Sequence, residues 1–154
     1  MDKTELCFTP ATQLAQMIRE KAVSPVEVVD AVLERIEQLE PFLNAFVVVL
    51  SDEARETARA AEQAVMQGAD LGPLHGVPVT IKDLFDLKGV ATASGSHTRS
   101  DYVAPSSTVP VERLLQAGAI ALGKTTTSEY GWKGVSQSPL TGITSNPWRL
   151  GYNA

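Results

Sequence analysis

A lysine that ends an apolar strand is the residue in this chain best placed to do chemistry. Val79-Thr80-Ile81-Lys82-Asp83 leaves a stiff turn, Gly72-Pro73-Leu74-His75-Gly76-Val77-Pro78, and places an amine where a strand runs out. Lysines are almost never fully buried unless paired, because taking an ammonium out of water is costly. A protein interior resolves that cost by favouring the neutral amine, and a neutral amine accepts protons, as a general base must. Lys82 is therefore read as a candidate general base, its Nζ expected to be more buried than that of most other lysines. The residues alone leave a second reading open, an edge-strand lysine paired with Asp83 or another carboxylate.

The remaining reactive side chains carry less. His75, Asp83 and Ser94 or Ser96 can be drawn as a triad, but no Gly-x-Ser-x-Gly elbow accompanies them and sequence proximity says little about triad geometry. His75 is expected to pack in the proline-rich turn with its ring nitrogens on backbone groups, and His97 to be a solvated loop residue. Two isolated histidines and the lone Cys7 form no metal-ligand set, so no metal is expected. Trp148 should plug the core beside Pro147. Trp132 is a candidate for lining an acyl pocket, the one substrate-binding residue suggested.

Gly118-Ala119-Ile120-Ala121-Leu122-Gly123-Lys124-Thr125 matches the phosphate loop G-x-x-x-x-G-K-S/T letter for letter. That loop needs a strand before its first glycine, a flexible stretch between the glycines and a helix from the lysine onward. Here a helix comes before, the four intervening residues are strand-like, and Thr125-Thr126-Thr127 is a poor first helical turn. The segment is read as a helix-capping glycine, a buried strand and a loop, and nucleotide binding is retained only as a minor alternative.

The elements that position these residues are legible from their caps. Thr9-Pro10 opens a helix, and Ser24-Pro25-Val26-Glu27 is a capping box for a second whose apolar stripe ends at Pro41. Phe46-Val47-Val48-Val49-Leu50 reads as a strand buried on both faces. Ser51-Asp52-Glu53 starts an alanine-rich helix that Gly68 stops. Ala91 to Ser100 has too little apolar content to be core and reads as irregular loop. Ser107-Thr108 precedes a helix ended by Gly118, Ala119-Ile120-Ala121-Leu122 is the next strand, and from Thr125 onward the chain is mostly loop. Helix and strand alternate at α/β spacing.

Composition sets outer limits. Apolar residues make up 44% and charged residues 20% of 154, as in ordinary globular chains. A net charge of −5, with 13 scattered basic residues, argues against nucleic-acid binding. One cysteine allows no internal disulfide and favours a reducing, cytoplasmic setting. No signal-peptide core follows the charged N-terminus, and the longest apolar run is too short to span a membrane.

Leu74-His75-Gly76-Val77-Pro78, Lys82-Asp83 and Ser94-Gly95-Ser96 together resemble the amidase signature family. The resemblance continues in order through Glu112-Arg113-Leu114, Ala117-Gly118-Ala119, Gly123-Lys124-Thr125, Glu129-Tyr130 and Asn146-Pro147-Trp148, nearly the whole chain. It departs at Thr126 and Thr127, where members often have Asn and Met, and at Leu84-Phe85, where transamidosome subunits tend to have Asn-Ile or similar. The family implies a mixed β-sheet covered by α-helices. Residues 1–154 would form a single-domain N-terminal fragment of it, mainly helical with one strand over 1–70, with the amidase core starting at 71–154. It implies that Lys82 is the lysine of a Ser–cis-Ser–Lys relay that cleaves small-molecule amides without a cofactor. Both serines would follow Ala154, so the chain alone is expected to be inactive and to self-associate, at most an interaction module.

Overall fold

The computed structural model describes residues 2–154. In chain order these form α1 (Lys3–Phe8), α2 (Ala11–Arg19), α3 (Pro25–Leu43), β1 (Phe46–Val49), α4 (Ser51–Met66), β2 (Pro78–Lys82), α5 (Val109–Gln116) and β3 (Ile120–Thr125). Four short strands follow, β4 (Gln137–Ser138), β5 (Gly142–Ile143), β6 (Ser145–Asn146) and β7 (Arg149–Asn153). The chain groups into two compact units, one of residues up to Glu37, Leu50–Val79 and Arg113–Leu122, the other of Gln38–Val49, Thr80–Glu112 and Gly123–Ala154.

The first unit is built on helix caps and a small apolar core. Ser24 and Glu27 form the expected box, the Ser24 Oγ accepting from Val26 N–H and the Glu27 carboxylate from Ser24 N–H, both at 2.9 Å. Leu14, Ala15 and Ile18 of α2 meet Val28 and Ala31 of α3, Val65 of α4 and Val77 in one buried cluster. Cys7 packs on this cluster as a small apolar residue. The Gly72–Pro78 turn lies on the end of α5, where Ala117 and Gly118 carbonyls accept from Leu74 and Gly76 N–H.

In the second unit α3 passes Pro41 and ends at Leu43, two residues beyond the expected stop. A proline in a last turn removes a single donor, and the Glu40 carboxylate completes the exit by accepting from the N–H groups of Ala45 and Phe46.

The main sheet has the order β1-β3-β2. β1 and β3 are antiparallel, pairing Phe46 with Thr125, Val48 with Lys124 and Val49 with Gly123. Bonds from Ile120 N–H to Val77 O and from Asp83 N–H to Thr125 O join like ends of β2 and β3, so these two run in the same direction. β1 is an edge strand and only half-buried, correcting the two-faced burial expected for it. Its apolar run matches a central strand, but β3 takes the central place.

Two other expectations fail for a common reason. Thr92, Ala93, Ser94 and Ser96 are buried, although their segment is poor in apolar residues. The stretch after Thr125 holds the antiparallel pairs β4–β5 and β6–β7. Neither polar burial nor two-residue ladders leave a periodic apolar signature to read.

Candidate active site

Lys82 is the last residue of β2, as its sequence context requires. Its side chain is exposed, which corrects the expected burial. Strand alternation supplies the reason: Ile81 takes the core side at 3% exposure, and its neighbour must face the other way. No hydrogen bond or ion pair holds the Lys82 amine among the described residues.

The buried lysine is Lys124, at 0% exposure in the central strand. Its Nζ donates to Phe85 O at 2.9 Å, to Ala91 O at 3.4 Å and to Thr92 Oγ1 at 2.7 Å, and lies 3.2 Å from Asp83 Oδ1. Burial lowers the pKa of this ammonium, while its bond and attraction to Asp83 oppose that shift. Asp83 is equally buried, and its Oδ2 accepts from Gly95 N–H at 3.4 Å. Sequence reasoning passed over the pair. The available signal was a lysine one place from the end of an otherwise apolar six-residue strand, and the phosphate-loop match drew attention from it.

The glycines of that match serve backbone packing. Gly118 has φ +90 and a Cβ there would sit 2.7 Å from His75 Cα, while a Cβ on Gly123 would sit 2.2 Å from Val48 O. Helix end and strand follow one another as expected, but the strand runs on through Gly123, Lys124 and Thr125, where a loop was expected, and Lys124 points its amine at protein oxygens.

Beyond Asp83 the glycine-serine loop is held by a second polar chain. Ser96 Oγ donates to Glu129 Oε1 at 2.7 Å, Thr98 Oγ1 and Tyr130 OH lie 2.7 Å apart, and Tyr130 N–H donates to Ser94 O at 2.8 Å. Ser94 and Tyr130 both have left-handed backbone, with φ 53 and 50. A non-glycine residue in that region is strained, and two facing each other mark a loop whose shape is imposed by its contacts.

The other singled-out residues fall outside this network. His75 Nε2 lies 2.9 Å from Ala61 O, a backbone partner as expected, and His97 is exposed. Trp148 is 96% exposed and plugs nothing, because Asn146 Oδ1 accepts from its N–H in a tight turn that carries the ring outward. Trp132 is 74% exposed, with Lys133 Nζ 5.6 Å from its ring centroid. Among the described residues, no three His, Cys, Asp or Glu side chains gather as a metal would need, and no helix is long and apolar enough to cross a membrane.

A family profile described as Amidase matches residues 27–154. The chain belongs to the amidase family. It is 45% identical over 138 residues to an indoleacetamide hydrolase of Bradyrhizobium diazoefficiens, covering 90% of this chain and 26% of that protein. It is 40% identical over 156 residues to an acylamidase of Rhodococcus erythropolis, covering 100% of this chain and 32% of that one. The crystal structure of a bacterial aryl acylamidase of the amidase signature enzymes superposes with a TM-score of 0.88 at 34% identity, over 95% of this chain and 31% of its own. The amidase signature resemblance and its mixed α/β fold are thereby established. The chain spans about a third or less of the length of these relatives.

Proposed function

We propose that this amidase chain supplies the lysine base of an amide hydrolase working by a Ser–cis-Ser–Lys relay, and that Lys82 is that base. The observation that carries the reading is an amine at the end of β2 with no partner among the described residues, inside the stretch that the family profile matches. In such a relay the amine takes a proton through a bridging serine from a nucleophilic serine, which attacks the amide carbonyl. An acyl-enzyme forms, the amine product leaves, and water releases the acid. Neither serine is assigned to a residue of this chain, and each missing oxyanion donor would remove about 3–4 kcal/mol of transition-state stabilisation. The exposure of Lys82 suits a side chain that completes its site with groups from elsewhere. The apolar surface of exposed Ile143, Trp148, Leu150 and Tyr152 underlies the expectation that the chain self-associates.

The test is hydrolysis of a panel of alkyl and aryl amides, indoleacetamide among them. The purified 154-residue chain should show no turnover above background. A longer protein that continues this chain through a glycine- and serine-rich segment should turn over an amide, and Lys82→Ala should abolish that activity. Turnover by the 154-residue chain itself, lost on Lys82→Ala, would mean that it holds a complete site of another kind.

A further inference from the structure

We infer that the buried Asp83–Lys124 pair is a positioning element for the Lys82 amine, keeping it free of a counter-ion. The inference rests on reading Lys82 as the base. Asp83 follows Lys82 directly, just beyond the last residue of β2, and is the carboxylate next to it in the chain. Here the carboxylate turns inward and is taken by Lys124 at 3.2 Å, with Gly95 N–H on its other oxygen. The Lys82 side chain is left exposed on the opposite side, with no partner among the described residues.

The same ammonium ties down both segments next to Lys82. It donates to Phe85 O, whose residue closes a turn by donating its own N–H to Lys82 O at 2.9 Å. It also donates to Ala91 O and Thr92 Oγ1, at the start of the glycine-serine loop. One buried cation therefore ties down the backbone on which Lys82 stands and commits the carboxylate next to it in sequence elsewhere. Asp86 and Arg99, 3.7 Å apart, are the other charged groups acting on Lys124. A purely structural pair would hold the loop and leave the state of the Lys82 amine untouched, and on this point the two roles differ.

The experiment is competitive acylation of the 154-residue chain with trace acetic anhydride at one pH. Peptide mass spectrometry reads the labelling of Lys82 against exposed Lys88. In the wild type Lys82 should label like Lys88 and Lys124 should be protected. Lys124 labelling as readily as Lys82 overturns the proposal without any variant. In Lys124→Met the carboxylate of Asp83 loses its partner and turns to the nearest amine in the chain. The Lys82:Lys88 ratio should then fall by about threefold, the scale of an exposed ion pair. The double variant Asp83→Asn with Lys124→Met should restore it. An unchanged ratio in folded Lys124→Met, or no restoration in the double variant, overturns the proposal. Where Lys124→Met does not fold, Lys124→Gln replaces it, with the same two outcomes. Failure here leaves Lys82 as base intact, because that reading stands or falls on the activity of Lys82→Ala.

Discussion

Lys82 and Lys124 stand at the same end of two strands that run side by side in one direction, and the fold treats them in opposite ways. Lys82 closes β2 and is exposed, with no partner for its amine among the described residues. Lys124 lies one residue from the end of β3, has no exposure, and reaches four oxygens. Residue position on the strand makes the difference. Lys82 falls on the face opposite buried Ile81, whereas Lys124 lies in a run of three buried residues of the central strand. Burial of an amine is therefore no mark of a base by itself, since burial here is matched by a carboxylate and three further acceptors. The amine proposed above as the base is the exposed one.

The contrast breaks most severely at Lys124. Lys124→Met should destabilise the fold by about 3–5 kcal/mol, because Asp83 loses the counter-ion that lets its carboxylate stay buried and must break its inward packing to find another. Removing both charges, with Asp83→Asn added, should recover much of that loss. Urea denaturation of the three proteins checks both statements, and a single variant as stable as wild type would show that the pair is not desolvated. The pair also has a pH signature. A lysine whose folded-state pKa lies below its ordinary value binds its proton more weakly folded than unfolded. Its burial cost is thus fully present below the lowered value and is relieved as pH rises through it toward the ordinary lysine range. Wild-type stability should gain from this term on the alkaline side, and Lys124→Met should lack the gain.

Next in size is the strand that carries Lys124. Gly123→Ala places a Cβ 2.2 Å from Val48 O at φ +154, a clash with backbone that no rotamer relieves. It should cost about 3 kcal/mol by forcing β1 and β3 apart. Thermal unfolding measures it, and a loss within that of an ordinary glycine-to-alanine change would mean that the strands separate cheaply. Thr92→Val should cost less, about 1–3 kcal/mol, by removing the shortest contact of a buried ammonium while keeping shape. Denaturant midpoints of the two variants, compared with Lys124→Met, rank the contributions.

Much of this arrangement was open to the sequence, and the rest was hidden for a definable reason. Ser24 and Glu27 announce α3, Gly68 ends α4, and the Gly118–Thr125 segment betrays its strand by being apolar where a phosphate loop must be flexible. The strand-end position of Lys82 follows from Val79-Thr80-Ile81. Local pattern cannot show a pairing between residues 83 and 124, or between 96 and 129, since even a neighbourhood as telling as the strand around Lys124 does not name its distant partner. The burial of Thr92, Ser94 and Ser96 was missed on the same ground. Their polar atoms are satisfied by distant groups, and apolar content measures only one way of filling an interior.

The smallest expected effect is the sharpest probe of the comparison. Lys82→Ala should change the stability of the chain by less than about 0.5 kcal/mol, the range for exposed positions without special contacts. The methylenes removed face solvent at an edge strand, and no ion pair or hydrogen bond of the amine is lost. The strand itself is retained, because Ile81 keeps its core side and Asp83 keeps both its backbone bond to Thr125 and its contact with Lys124. Against that near-neutral stability stands the proposed loss of amide hydrolysis in a protein carrying the complete site. A residue that matters to turnover and not to folding is one the fold presents for chemistry, whereas Lys124 should show the reverse balance through its effect on stability. Urea midpoints of Lys82→Ala and wild type decide the first half. A loss of more than about 1 kcal/mol would mean that Lys82 makes packing contacts its exposure does not suggest, and the division of labour between the two lysines would have to be redrawn.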